Sequence, residues 1–178
     1  MTTHTGNEKI LGEGDFIQLL SRDGWEYVAR KGVTGIVVIV PVTDDGKIIL
    51  VEQYRHAVQK SVIELPAGLV GDKPGQMHED LPTAAHRELL EETGYEAQRM
   101  VSLVSGPVNP AMSRDYYTFF NARGLKRVHA GGGDESEKIK VHEVPLGEAH
   151  QWLYKKATDG FLVDTKVFVG LYFATKVL

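Results

Sequence analysis

Arg87-Glu88-Leu89-Leu90-Glu91-Glu92-Thr93-Gly94-Tyr95 is the stretch on which the reading of this chain turns. On a helix, Glu88 and Glu92 are i,i+4 neighbours and Glu91 lies at i+3 from Glu88, so one side of the helix presents three carboxylates. In isolation such a group repels itself. Carboxylates converging on one spot become favourable when a hard cation binds, and Mg2+ takes oxygen ligands while keeping waters and bridging to substrate phosphates. The plainer alternative is a solvated acidic face with Arg87 paired to Glu91.

Outward from this stretch, the pattern predicts a helix from about residue 82 to residue 93. Pro82 is tolerated in a first turn, Asp80 lies near the positive end of the helix dipole, and Gly94 supplies a stop. Leu81, Ala85 and Leu89, with Ala84 alongside, form an apolar stripe, which leaves the other face for chemistry. Upstream, residues 16–20 and 25–30 read as strands around Asp23-Gly24, and residues 36–42 and 48–54 as strands around Asp45-Gly46. The near-continuous Val and Ile of the second pair predict strands covered on both faces. Residues 116–121 and 138–144 read as two more strands, followed by a helix over about 148–158 and another capped by Asp164. Strands interleaved with three helices imply an α/β (α+β) architecture, a mixed sheet between helical layers.

The chain has 178 residues, of which 42% are hydrophobic and 25% charged, enough for one sizeable core. Residues 1–178 are therefore expected to form one domain. There is no cysteine, which excludes disulfides, thiolate metal sites and thiol nucleophiles and fits a reducing cytoplasm. A formal net charge of -4 gives no general attraction to nucleic acid. The longest apolar run, residues 36–42, is too short to span a bilayer, so no membrane partner is expected. Phosphate-loop, nucleophile-elbow and HExxH zinc patterns are absent; His142 and Glu143 begin the last of these, but Leu146 occupies its second histidine position.

The opening stretch resembles the second half of the Nudix box, G-x5-E-x7-REUxEExGU, with U a bulky apolar residue. Seven specified positions match in order from Arg87 to Tyr95, and Glu79 falls eight residues before Arg87, where the pattern has its first glutamate. A rigid count puts the leading glycine at Lys73, a departure from the pattern. Glu64-Leu65-Pro66-Ala67-Gly68 is similar to the segment that supplies this glycine in ADP-ribose pyrophosphatases. A five-residue insertion is therefore inferred within residues 69–78, among the turn formers Gly71, Asp72, Pro74 and Gly75. Glu135 and Glu137, after the glycines at 131–133, resemble the acidic E-x-E loop of the same relatives, and the glycines suggest a mobile, closing loop. Pro110, sixteen residues after Gly94, resembles a mark of the ADP-ribose pyrophosphatase branch, although Ala111 follows where many relatives have glycine.

The resemblance implies a Nudix α/β/α sandwich with an N-terminal antiparallel strand region, residues 1–30, involved in homodimerisation. It also implies Mg2+-dependent cleavage of a nucleoside diphosphate sugar, with Mn2+ a possible substitute. Glu88, Glu92, Glu137 and the Ala67 carbonyl would hold the metal, Glu135 would be the general base, and Glu91 and Arg87 would complete the catalytic set. Arg55, Glu64 and Pro110 would contact substrate. Trp25, at strand spacing with Tyr27, reads either as a base-stacking residue or as core or dimer contact. Two rivals are a Nudix-fold module that binds a nucleotide sugar without cleaving it and a hydrolase of a dinucleoside polyphosphate or damaged nucleoside triphosphate.

Overall fold

The computed structural model describes residues 7–72, 75, 78–133 and 138–176. Glu8–Glu13 (β1), Ile17–Arg22 (β2) and Trp25–Arg30 (β3) form an antiparallel sheet in that order. The β2–β3 turn is the predicted one: Asp23 and Gly24 both have positive φ (53° and 82°), the backbone that matches the twist of a tight hairpin.

Gly35–Pro41 (β4), Lys47–Arg55 (β5), Lys60–Glu64 (β6) and Ala67–Val70 (β7) follow, then the helix Leu81–Thr93 (α1). Two long strands, Tyr95–Pro107 (β8) and Tyr116–Arg127 (β9), precede Lys140–Pro145 (β10), the helix Ala149–Thr158 (α2), the short strand Leu162–Val163 (β11) and the helix Thr165–Lys176 (α3). The strands divide into two mixed sheets, ordered β7-β4-β9-β8 and β10-β5-β6-β11. In the first, β4 runs parallel to β9 and antiparallel to β7; in the second, β11 runs parallel to β6.

Side-chain alternation along β4 and β5 builds the layers. Val37, Ile39 and Ile49 pack with Ala84, Ala85 and Leu89 of α1. Val38, Val40, Ile48 and Leu50 pack on the opposite side with Leu153 of α2 and Val167 and Leu171 of α3. The interior is thus two cores sharing the same central strands, with α1 on one side and α2 and α3 on the other. This is the predicted sandwich, although its strands form two four-stranded sheets where one central sheet was expected. The N-terminal sheet joins the body through the 109–114 turn: the Val28 amide donates to the Met112 carbonyl at 2.8 Å, and the Arg114 amide donates to the Val28 carbonyl at 3.2 Å.

Candidate active site

Helix α1 is fixed at both ends. Asp80 accepts a hydrogen bond from the Thr83 amide at 2.8 Å, and Gly94, at φ 74°, returns its amide to the Leu90 carbonyl. The apolar stripe expected at Ala84, Ala85 and Leu89 is buried, but Glu88 and Glu92 are buried with it, at 9% and 3% exposure. The expectation that buried and chemical faces lie opposite each other is therefore corrected. Ala85, Glu88, Leu89 and Glu92 fall at i, i+3, i+4 and i+7, a single stripe, and its carboxylate part faces β7.

That arrangement needs a strand without a side chain beside it. A Cβ on Gly68 would fall 1.9 Å from the Glu88 carboxyl carbon, so only glycine fits there with Glu88 in this position. The next residue back, Ala67, donates its amide to Glu92 Oε2 at 3.2 Å.

Arg87 holds the acidic turn together. It pairs with Glu79 through two bonds of 2.9 and 3.0 Å, and reaches Glu88 at 2.6 Å and Glu91 at 3.2 Å. It also donates to the Leu69 carbonyl at 3.1 Å. The hydrogen bonds to Glu79 foremost, and then the charge and hydrogen bond of Glu88, push its pKa above the ordinary arginine range against the opposing effect of burial. Leu69 and Glu79 bracket the inferred insertion, so one guanidinium pins both ends of that span. Arg87, expected in the catalytic set, does not itself line the neighbouring cleft; it bonds Glu88 and Glu91, which do.

The cleft has a volume of about 670 Å³ and is lined by Ala67, Gly68, Glu88, Glu91 and Glu92 on one side and by Arg55 and Glu64 on another. The Arg55 guanidinium grips Glu64 through bonds of 2.6 and 2.8 Å while its side chain stays 44% exposed to the cleft. A smaller cavity of about 210 Å³ adjoins it, sharing Arg30 and Ile36 in its walls.

Two cleft residues were not legible as site residues. Lys166, in the first turn of α3, and Tyr117 of β9 both line it, with the Lys166 ammonium 4.8 Å from the centre of the Tyr117 ring. Burial works to lower the Lys166 pKa, but the contact with Asp164 and the neighbouring Tyr117 and Glu64 outweigh it and keep the amine charged. Nothing in the local pattern marks this lysine; only the return of α3 past β9 brings it here. Pro110 and Trp25, expected at the substrate, do not line this cleft. They belong to the N-terminal junction, where Trp25 Nε1 donates to the Ala111 carbonyl at 3.3 Å.

Glu135 and Glu137 lie outside the described residues. Among the described residues no three acidic or histidine side chains are gathered tightly enough to hold a metal ion by themselves. The donors at the α1 wall are nonetheless hard oxygens, Glu88, Glu91, Glu92 and the Ala67 main chain, the chemistry suited to Mg2+. The bare Gly68 surface that lets the Glu88 carboxylate lie against β7 fits the same use.

Residues 33–162 match the NUDIX domain model. This chain belongs to the Nudix family of pyrophosphohydrolases. It is 39% identical over 153 residues to an ADP-ribose pyrophosphatase of Mycobacterium tuberculosis, covering 83% of this chain and 69% of that protein. A methanol dehydrogenase activator of Bacillus methanolicus is 35% identical over 140 residues, covering 78% and 71%. A GDP-mannose pyrophosphatase of Klebsiella pneumoniae is 28% identical over 192 residues, covering 97% and 91%. The solved structure of an ADP compounds hydrolase superposes with a TM-score of 0.74 at 22% identity, over 97% of this chain and 91% of that one, and so shares the fold. No helix among the described residues is long and apolar enough to cross a membrane.

Gly68→Ala tests the fit of β7 against α1. Its added carbon collides with the Glu88 carboxylate, so pyrophosphohydrolase turnover should fall by on the order of 10²-fold or more while the fold persists. A steady-state assay beside a thermal melt checks this; wild-type turnover would contradict the geometry.

Proposed function

We propose that this protein hydrolyses the diphosphate linkage of a nucleoside diphosphate sugar of the ADP-ribose or GDP-mannose type, releasing a nucleoside monophosphate and a sugar phosphate. The observation that carries this reading is the buried carboxylate pair Glu88 and Glu92, set against the bare backbone of Gly68 and opening into a cleft with Arg55 and Lys166. The names of the pyrophosphatase relatives supply the substrate class.

Glu88, Glu92, Glu137 and the Ala67 carbonyl are the groups that would hold Mg2+, or Mn2+ in its place, with Glu91 in support. Bound there, the cation would neutralise diphosphate charge and acidify water. Arg55 binds phosphate oxygens by turning part of its guanidinium from Glu64, which keeps the arginine oriented while it does so. Lys166, which also lines the cleft, adds a second cation. Glu135 takes the proton of the attacking water as its oxygen bonds to one phosphorus; the bridging P–O bond breaks and its electron pair leaves with the second phosphate. Arg87 keeps Glu88 and Glu91 aimed throughout.

The full set Glu79, Glu88, Glu91 and Glu92 favours hydrolysis over a module that only binds. We place the protein in the cytoplasm as a single domain, with residues 1–30 pairing two copies. That pairing is supported by exposed apolar side chains of the N-terminal region: Phe16, between β1 and β2, is 81% exposed, Trp25 66% and Ile10 60%. Such a dimer would bring Trp25 and the Pro110 turn toward a neighbour's substrate.

A panel of nucleotide sugars with Mg2+, scored for released monophosphate, identifies the substrate. On the best of them, Glu92→Gln should lose orders of magnitude in turnover without unfolding, and Glu135→Gln should lower kcat with KM largely kept. Near-normal hydrolysis by Glu92→Gln would reject the assignment. Gel filtration at low concentration should give a dimer; a fully active monomer would refute the pairing.

A further inference from the structure

The chain leaving β9 is bound to the end of α1 before it reaches residue 134. The Val128 and His129 amides converge on the Gly94 carbonyl at 2.8 and 3.3 Å. Gly132 then donates its amide to the Glu92 carbonyl at 2.9 Å, and Gly133 donates to the Glu91 carbonyl at 3.1 Å. Carbonyls in the last turn of a helix have no amide of their own helix to accept from, so the glycine run completes α1 from outside. The approach is too close for side chains: a Cβ on Gly94 would sit 2.2 Å from the His129 carbonyl oxygen, and one on Gly131 would sit 2.4 Å from the Thr93 carbonyl carbon.

The return path is tied to the same residue. The Ile139 amide donates to the Gly132 carbonyl at 3.2 Å, so Gly132 is bonded to the helix through its nitrogen and to the approach to β10 through its oxygen. Arg127 braces the run from behind. Its guanidinium donates to the carbonyls of His129 (3.2 Å) and Ala130 (3.4 Å) and to Glu143 at 3.1 Å. Glu143 also accepts from the Tyr95 hydroxyl at 2.7 Å, whose pKa is pushed up to about 12, chiefly by burial.

We infer that residues 131–133 are a latch, not the hinge that a glycine run suggests, and that Gly132 is a positioning residue for the hydrolysis. The two helix carbonyls it and Gly133 cap belong to Glu91 and Glu92, whose carboxylates line the cleft. One backbone joint therefore fixes the acidic turn of α1 and the point from which the chain departs toward Glu135 and Glu137. This inference rests on the proposed hydrolysis for its consequence in rate, but the latch itself is a property of the fold.

Gly132→Ala separates the two. Its Cβ has room, the nearest atom being the Ile139 oxygen at 3.8 Å, yet a φ of 121° is one that an L side chain does not hold. The joint should therefore shift without a collision. We expect kcat to fall about 10²-fold with KM and melting temperature little changed. Gly147→Ala, where nothing lies within 4 Å of the added carbon, should keep the wild-type rate. Amide exchange followed by NMR on the wild type should show Gly132 and Gly133 protected together with the amides of α1. Wild-type kcat in Gly132→Ala, or unprotected amides at both glycines, would overturn the inference. Should the wild type cleave no nucleotide sugar, the functional reading fails while amide exchange still decides the latch. Exchange also decides it if Gly132→Ala does not fold.

Discussion

The acidic turn of α1 depends on one guanidinium. Two like charges 4 Å apart repel by roughly 4 kcal/mol where the effective dielectric constant is about 20. Here Glu79, Glu88 and Glu91 all reach Arg87, and the first two are nearly closed to solvent. Without Arg87 such crowding would drive the carboxylates apart. With it, Glu88 and Glu91 are held beside the cleft that they line. The same side chain bonds the Leu69 carbonyl, so the arrangement of charges also decides how the strand before the insertion meets the helix after it.

Backbone proximity is the second constraint, and it acts at both ends of the acidic turn. Gly68 lets β7 pass against the Glu88 carboxylate, and Gly94 and Gly131 let the 129–131 segment pass against the helix terminus. In each case a side chain would occupy space that a carboxylate or a carbonyl needs. The site is therefore held by main chain as much as by side chains, and small shifts of strand against helix would be felt directly at Glu88 and Glu92.

Much of this was legible in the sequence because it is local. The helix, its Asp80 cap, its Gly94 stop and the Val- and Ile-rich strands β4 and β5 follow from patterns a few residues long. Strand β8 escaped: its polar run with Glu96, Gln98, Arg99 and Ser102 carries little strand signal, and only pairing along β9 makes it one. Strand β1 is exposed at every position and gives no alternation to read. The burial of Glu88 and Glu92 escaped for a different reason. Helical spacing puts them on the stripe of Ala85 and Leu89, but charge argued for solvent until β7 supplied a bare strand. Lys166 arrives from the far end of the chain, and the glycines at 131–133 carry no local sign that Gly132 and Gly133 donate their amides to the last turn of α1.

In the proposed function, Glu88, Glu92 and the Ala67 main chain would form one wall of a divalent-cation site. Crystals soaked in Mn2+ and measured for anomalous scattering test it most directly. The expected result is a peak bounded by those three groups, with Arg87 still bonded to Glu79. A crystal whose Mn2+ lies only elsewhere, with Glu88 and Glu92 turned from the cleft, would contradict it.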